Sequence, residues 1–235
     1  MKFFWEDEAL SPRDIVDRVI TGRRTIRAFL PTPLPVGEAE RILEIASRAP
    51  SGGNMQPWQV HLLEGAALKR LVEAACYAYD YQPEERRGEY DYYPQEFFEP
   101  YAARRRKVGW DLYSLLGIAR GDKGKMKVQQ RRNFEFFGAP TGLIFTIDRK
   151  LAQGSWLDYG MFLQNIMLAA RVRGIESCAL ASWMEYPAVV SRALRIPDSQ
   201  MIVCGMGLGY GDPAAAENSL QSEREPVSSF VIKHK

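Results

Sequence analysis

Apolar residues recur at Ile15, Val16, Val19 and Ile20, the spacing of one helical face, and predict an amphipathic first helix. Ser11 supplies its N-cap, Pro12 its first position and Asp14 a first-turn acid, and Gly22 ends it. Pro31-Thr32-Pro33-Leu34-Pro35 forms a stiff extended connector. A second helix over 38–48 puts Ile42, Ile45, Ala46 and Ala49 on one face before Pro50 and two glycines stop it. Short apolar runs at 59–63, 143–147, 177–182 and 201–211 read as strands, the second entered through a turn at 136–140. Helices are expected between them at 66–78, 156–173 and 187–194, with Phe162, Ile166, Met167 and Ala170 facing a core. No internal repeat is visible.

The last strand is rich in alternating glycines, Gly205, Gly207, Gly209 and Gly211. That spacing differs from G-x-G-x-x-G, and Asp212-Pro213 blocks the helix a dinucleotide-binding turn must open, so a Rossmann reading fails. The pattern fits an edge strand against which another backbone packs closely.

From about 79 to 133 the composition shifts. Tyr79, Tyr81, Tyr90, Tyr92, Tyr93, Phe97, Phe98, Tyr101, Trp110 and Tyr113 crowd together, acidic residues come first, and Arg104-Arg105-Arg106-Lys107 follows. One reading is a helical excursion packed on the main body with a solvated basic face. A second, nucleic-acid binding through interleaved basic and aromatic residues, is opposed by Glu84, Glu85, Glu89, Glu96 and Glu99 just upstream. The preferred reading is a lid or dimer arm that walls a pocket with aromatics. Beyond Pro213 a polar stretch ends in Phe230-Val231-Ile232, a poor choice for a solvated terminus. It reads as an extension docked across the body or a partner subunit.

The 235 residues suit one domain, here taken as 1–235 with an insert at about 79–133 and a C-terminal extension at about 212–235. A formal charge of +2, from 31 basic and 29 acidic residues, gives no global field for nucleic acid. Cys76, Cys178 and Cys204 are widely spaced with no CxxC pair, which suggests neither a disulfide framework nor a metal site. The start, Met1 to Glu8, turns acidic too soon for a signal peptide, and no apolar run spans a bilayer. A cytoplasmic protein without membrane contact is expected. His61 and His234 are the only histidines, so Ser-His-Asp, Cys-His and His-metal chemistry are poor fits. The chemistry therefore belongs to a cofactor.

Two stretches suit one. Arg23, Arg24 and Arg27 with Thr25 combine guanidinium forks with a hydroxyl, the groups a phosphate requires, although Arg23 and Arg24 also suit a helix C-terminus in water. Pro50-Ser51-Gly52-Gly53-Asn54 makes a short polar loop whose glycines allow close approach to a flat polar ligand.

Taken together, Arg23-Arg24-Thr25-Ile26-Arg27, the run from Pro50 to Trp58, Gly174-Ile175-Glu176-Ser177-Cys178 and Gly209-Tyr210 followed by Arg224 resemble the nitroreductase family. The insert and the run Gly154 to Gly160 resemble its nitrobenzoate-reductase-like subgroup. The resemblance implies an α+β nitroreductase-like fold with a central mixed or antiparallel sheet surrounded by helices, in an interlocked homodimer with FMN at each interface. It implies that Arg23, Arg24 and Thr25 hold the phosphate end, with Arg224 a second phosphate contact, and that Arg27 faces the pyrimidine side. Pro50, Ser51, Gly52 and Asn54 would come from the neighbouring subunit. Leu180, Ala181 and Ser182 would line the ring edge with a backbone N–H near N5, and Gly207 and Gly209 would admit the backbone to the phosphate. Two departures from the family pattern are Ala179-Leu180 where many relatives have Pro-Gln, which removes a polar side chain, and Thr25 for the commoner Ser, which keeps the hydroxyl.

The implied activity is ping-pong transfer of two electrons from NADH or NADPH to a nitroaromatic or quinone-like acceptor, with no side chain named as catalytic and no metal. A carboxylate on the acceptor could pair with an arginine of the insert. Rival readings are another FMN enzyme on the same fold, of dehalogenase, flavin-fragmenting or dehydrogenase type, or a non-enzymatic FMN-binding protein.

Overall fold

The computed structural model describes residues 10–234; the acidic start from Met1 to Glu8 lies outside the described residues. Helix α1 (Pro12–Gly22) opens with a reciprocal capping box in which Ser11 Oγ accepts from Asp14 N and Asp14 Oδ2 accepts from Ser11 N, both near 3.1 Å. Helix α2 (Glu38–Ala46) buries Ile42 and Ala46 as its periodicity predicts. Strand β1 (Gln59–Glu64) and helix α3 (Gly65–Tyr81) follow. After the insert come β2 (Thr141–Asp148), α6 (Gln153–Val172), β3 (Glu176–Leu180), α7 (Pro187–Leu194) and β4 (Gln200–Gly209).

The four strands lie in the order β1-β2-β4-β3, every neighbouring pair antiparallel. The sheet is thus antiparallel and not mixed; a parallel pairing occurs at the isolated bridge Thr25–Ser177. Helices cover both faces. On one, Leu71 of α3, Val190 of α7 and Phe134, Phe136 and Trp183 form a core. On the other, Ile42 of α2 and Tyr159, Phe162 and Ile166 of α6 pack on Phe145 and Met206. Two-sided covering explains why β2 is apolar without alternation.

Strand β4 is interior, which corrects the edge-strand expectation. Its glycines share the face that meets the aromatic core. A Cβ on Gly205 would overlap the indole of Trp183, which stacks on Phe136 at 4.5 Å. A Cβ on Gly207 would lie 3.0 Å from Ala139 Cβ and Phe136 O, and one on Gly209 2.6 Å from Pro140 Cδ. Gly207 and Gly209 therefore make room for core side chains and not for a phosphate. We expect Gly205→Ala to destabilise the fold by about 1–3 kcal/mol, the usual range for overpacking. Urea denaturation checks this, and an unchanged midpoint would contradict the close-packed indole.

The insert is less helical than expected. Helices α4 (Tyr101–Leu115) and α5 (Lys123–Arg131) form, but 86–100 contains no helix. The cause is tertiary. β3 pairs with β4 only over Gly205–Gly209, which leaves the edge of β4 open beyond Leu180. The insert covers that edge, where Tyr90 OH donates to Val203 O at 2.5 Å and Glu89 accepts from Ile202 N at 3.4 Å. The basic run of α4 is paired internally, with Arg104 to Glu225 at 2.9 Å, Arg106 to Glu99 at 2.8 Å and Lys107 to Asp111 at 2.8 Å. The C-terminal extension thus rests on α4 through Glu223 and Glu225. Its Phe230, Val231 and Ile232 remain exposed and do not dock on the body of their own chain.

Candidate functional site

α1 delivers its C-terminal residues beside the start of β3, where Ile26 N donates to Ser177 O at 3.1 Å. Arg23, Arg24, Thr25 and Arg27 line one wall of a cleft of about 750 Å³, and Arg171, Ser222 and Arg224 line others. Five guanidinium groups face one space, the donor set of an anion site. Burial and the neighbouring Arg224 hold Arg23 below the ordinary guanidinium value. The compensating carboxylate is Glu176, which is ion-paired with Arg171. Burial raises its pKa, while Arg171, Arg24 and Arg23 pull it down. Arg224 bonds locally to Ser222 and Glu223, which keeps the end of the extension on the cleft rim.

Asn218 was not singled out by the sequence. Its buried amide accepts from Arg27 N at 2.8 Å and donates to Ala28 O at 2.8 Å and Asp212 O at 2.9 Å, so the extension fixes the backbone that carries Arg27. An asparagine in a polar tail carries no local signal of partners some 190 positions upstream.

At the far end of β3, Leu180 and Ala181 help line a second pocket of about 650 Å³, with Tyr90, Tyr92, Trp156 and Leu163 as its larger apolar walls. Tyr90 meets Trp156 edge-on at 4.7 Å. Ala181 and Ser182 belong to a 3₁₀ turn over Ala181–Glu185 and not to the expected strand, because the chain leaves the sheet to place Trp183 over Gly205. Ser182 Oγ is buried without a hydrogen-bond partner among the described residues. The four-residue rise of β3 separates this end from Glu176 by about 13 Å.

The loop at Pro50 lies at the end of α6 away from the arginine cleft. Gly52–Asn54 forms a 3₁₀ turn, Gly52 N donates to Asp158 Oδ2 at 3.1 Å and Gln56 N donates to Ser51 Oγ at 3.0 Å. Asn54 and Gln56 are left-handed, at φ 57° and 49°. Asp158 sits near the N-terminal end of α6 and Arg171 near its C-terminal end, about 20 Å apart at 1.5 Å per residue. Within one chain, Pro50, Ser51, Gly52 and Asn54 therefore do not join Arg23, Arg24, Thr25, Arg27 and Arg224. They face outward, with Gly52 and Asn54 exposed.

All three cysteines are free and buried. Burial pushes Cys178 and Cys204 up to about 12 and Cys76 to about 11, with Arg27 partly opposing the shift at Cys178. An unfolded thiol ionises near 9. The folded thiols keep their protons between 9 and about 11–12 while unfolded ones lose theirs, so their contribution to stability falls as pH rises through that window. We expect a thiol reagent at pH 8 to label none of the three in the native protein and all three after denaturation, and the thermal midpoint to decline above pH 9. Rapid native labelling would contradict this burial. His61 is half-buried and burial lowers its pKa, so it is neutral at pH 7. Among the described residues no group of three or more His, Cys, Asp or Glu could hold a metal, and no helix is long and apolar enough to cross a membrane.

Comparison with known proteins places these features. The family described as Nitroreductase family matches residues 20–210. The chain is 41% identical over 216 residues to a chloronitrobenzene nitroreductase of Comamonas testosteroni, which covers 92% of this chain and 95% of that one. It is also 41% identical over 219 residues to a 4-nitrobenzoate reductase of Pseudomonas putida, covering 93% and 95%. Its fold matches that of the FMN-dependent nitroreductase NfnB of Mycobacterium smegmatis, solved in complex with NADPH, with a TM-score of 0.91 at 30% identity over 96% of this chain and 100% of that one.

Proposed function

Since the chain belongs to the nitroreductase family, we propose that it is an FMN-dependent oxidoreductase passing two electrons from NAD(P)H to nitroaromatic or quinone-like acceptors by a ping-pong mechanism. The observation that carries this reading is the pairing of an anion cleft and an aromatic pocket at the two ends of β3. A molecule with a phosphate at one end and a flat ring at the other suits both. Bound FMN supplies the hydride and electron transfer chemistry.

The chain's own residues bind and orient. Arg23, Arg24 and Thr25 hold the phosphate and Arg224 adds a contact from the extension. Arg27, its backbone fixed by Asn218, would place its positive charge toward the pyrimidine side of the bound ring. Leu180 and Ala181 would line the ring edge, with Ser182 next to them in the same turn, its hydroxyl buried without a partner among the described residues. No side chain is required as a general base.

Two copies complete two sites. The loop at Pro50, Ser51, Gly52 and Asn54, about 20 Å from its own arginine cleft, serves the neighbouring subunit. Exposed apolar residues on two helices support such a homodimer: Val16 and Ile20 on α1 are 56% and 49% exposed, and Leu157 and Met161 on α6 are 74% and 40% exposed. Phe230, Val231 and Ile232 extend toward the same partner.

The test is the visible spectrum of the purified protein before and after anaerobic NADH or NADPH. An oxidised flavin spectrum that bleaches, then returns on addition of a nitroaromatic, is expected. A colourless protein that takes up no added FMN would overturn the reading.

A further inference from the structure

The two sequence relatives described above are equally identical to this chain, yet one is named for an uncharged acceptor and the other for a carboxylate-bearing one. Identity does not choose between them; the charge of the aromatic pocket does. Two acids line it, Glu89 and Asp91, and no lysine, arginine or histidine does so among the described residues. Glu89 is tied to Arg149 and to the edge of β4, so its charge is compensated. Asp91 is exposed and has no ion pair among the described residues.

Four of the insert's arginines are engaged elsewhere. Arg86 pairs with Glu185 at 2.9 Å, Arg104 with Glu225, Arg106 with Glu99, and Arg105 lies 4.5 Å from the ring centre of Phe97. The expected pairing of an acceptor carboxylate with an insert arginine therefore has no counterpart in this pocket. A carboxylate entering it would lose water against Tyr90, Tyr92 and Trp156, gain no counter-ion, and meet the field of Asp91. An amide of the same shape carries no net charge.

We propose that this pocket selects uncharged nitroaromatic acceptors over carboxylate-bearing ones, with Asp91 as a specificity-determining residue. The inference rests on the oxidoreductase reading proposed above, with the acceptor taken into this pocket beside the flavin ring.

The test compares 4-nitrobenzamide with 4-nitrobenzoate on the holoenzyme, and benzamide with benzoate as non-reducible ligands followed by perturbation of the flavin spectrum. We expect kcat/KM for the amide to exceed that for the carboxylate by about tenfold or more, and benzamide to bind more tightly than benzoate. Between 20 and 500 mM salt the gap narrows, because screening weakens repulsion at an open pocket. Asp91→Asn narrows it by about 3–5-fold at low salt and Asp91→Lys narrows it further, the scale of one charge at several ångströms in a partly solvated site. Equal or better use of 4-nitrobenzoate by the unmodified enzyme overturns the selectivity. A gap that ignores both salt and Asp91→Asn overturns the role of Asp91. A reduced flavin reoxidised by neither nitro compound overturns the underlying functional reading instead.

Discussion

Replacing Arg23 and Arg24 together by alanine is expected to weaken FMN binding by about two to three orders of magnitude, while riboflavin affinity changes by only a few-fold. Each guanidinium–phosphate hydrogen bond contributes about 1.5–3 kcal/mol. The two together lie near the lower end of their sum because the cleft is open to solvent. Arg27, Arg171 and Arg224 remain to supply residual attraction. The loss should be larger at pH 7 than at pH 5, since a phosphate monoester gains its second charge near pH 6. Titration of apoprotein by quenching of flavin fluorescence measures both ligands. Equal losses for FMN and riboflavin would mean that the arginines only support the fold.

The second large effect concerns the exposed apolar residues of α1 and α6. Val16→Asp combined with Leu157→Asp should leave each chain folded, because both side chains are more than half exposed in the single chain. Placed against an apolar partner, unpaired carboxylates cost several kcal/mol at each of two symmetric positions, enough to dissociate a dimer at micromolar concentration. The monomer should lose its flavin although all five guanidinium groups of the cleft are intact, since the loop around Gly52 can no longer reach that cleft. Sedimentation with a visible-absorbance readout follows mass and flavin together. A monomer that keeps a full complement of FMN would show that one chain suffices for the site.

These expectations draw on the sequence and on the fold to different degrees. Where the relevant forces act within a few residues, the chain itself was informative. Ser11, Pro12 and Asp14 marked the start of α1 because a capping box is a local structure. Pro187 likewise opened α7, and the spacing of Ile42, Ile45 and Ala46 showed the inward side of α2, although Ile45 is only half-buried. The arginine cluster was legible for the same reason, as three guanidinium groups and a hydroxyl within five positions exceed what a helix end needs.

Tertiary structure decided what depends on contacts between distant segments. Alternating glycines in β4 suggested an edge strand, and the family resemblance a phosphate approach, but β3 pairs beside it and Trp183, Phe136 and Pro140 fill the space their missing side chains leave. The aromatic insert suggested a helical excursion or a lid, and over 86–100 the bare edge of β4 offered Tyr90 and Glu89 hydrogen bonds that a helix would forfeit. Asn218 and Glu217 carried no local meaning in a polar tail, yet one clamps the backbone of Arg27 and the other pairs with Arg132 at 2.6 Å. The sequence alone determined which residues have the chemistry to hold a phosphate and a flat ring, because side-chain chemistry and local helix and turn preferences are read along the chain. Only the fold decided that α6 holds those two sets about 20 Å apart and that the aromatic pocket carries acids without a lining cation, because both follow from packing between segments far apart in sequence.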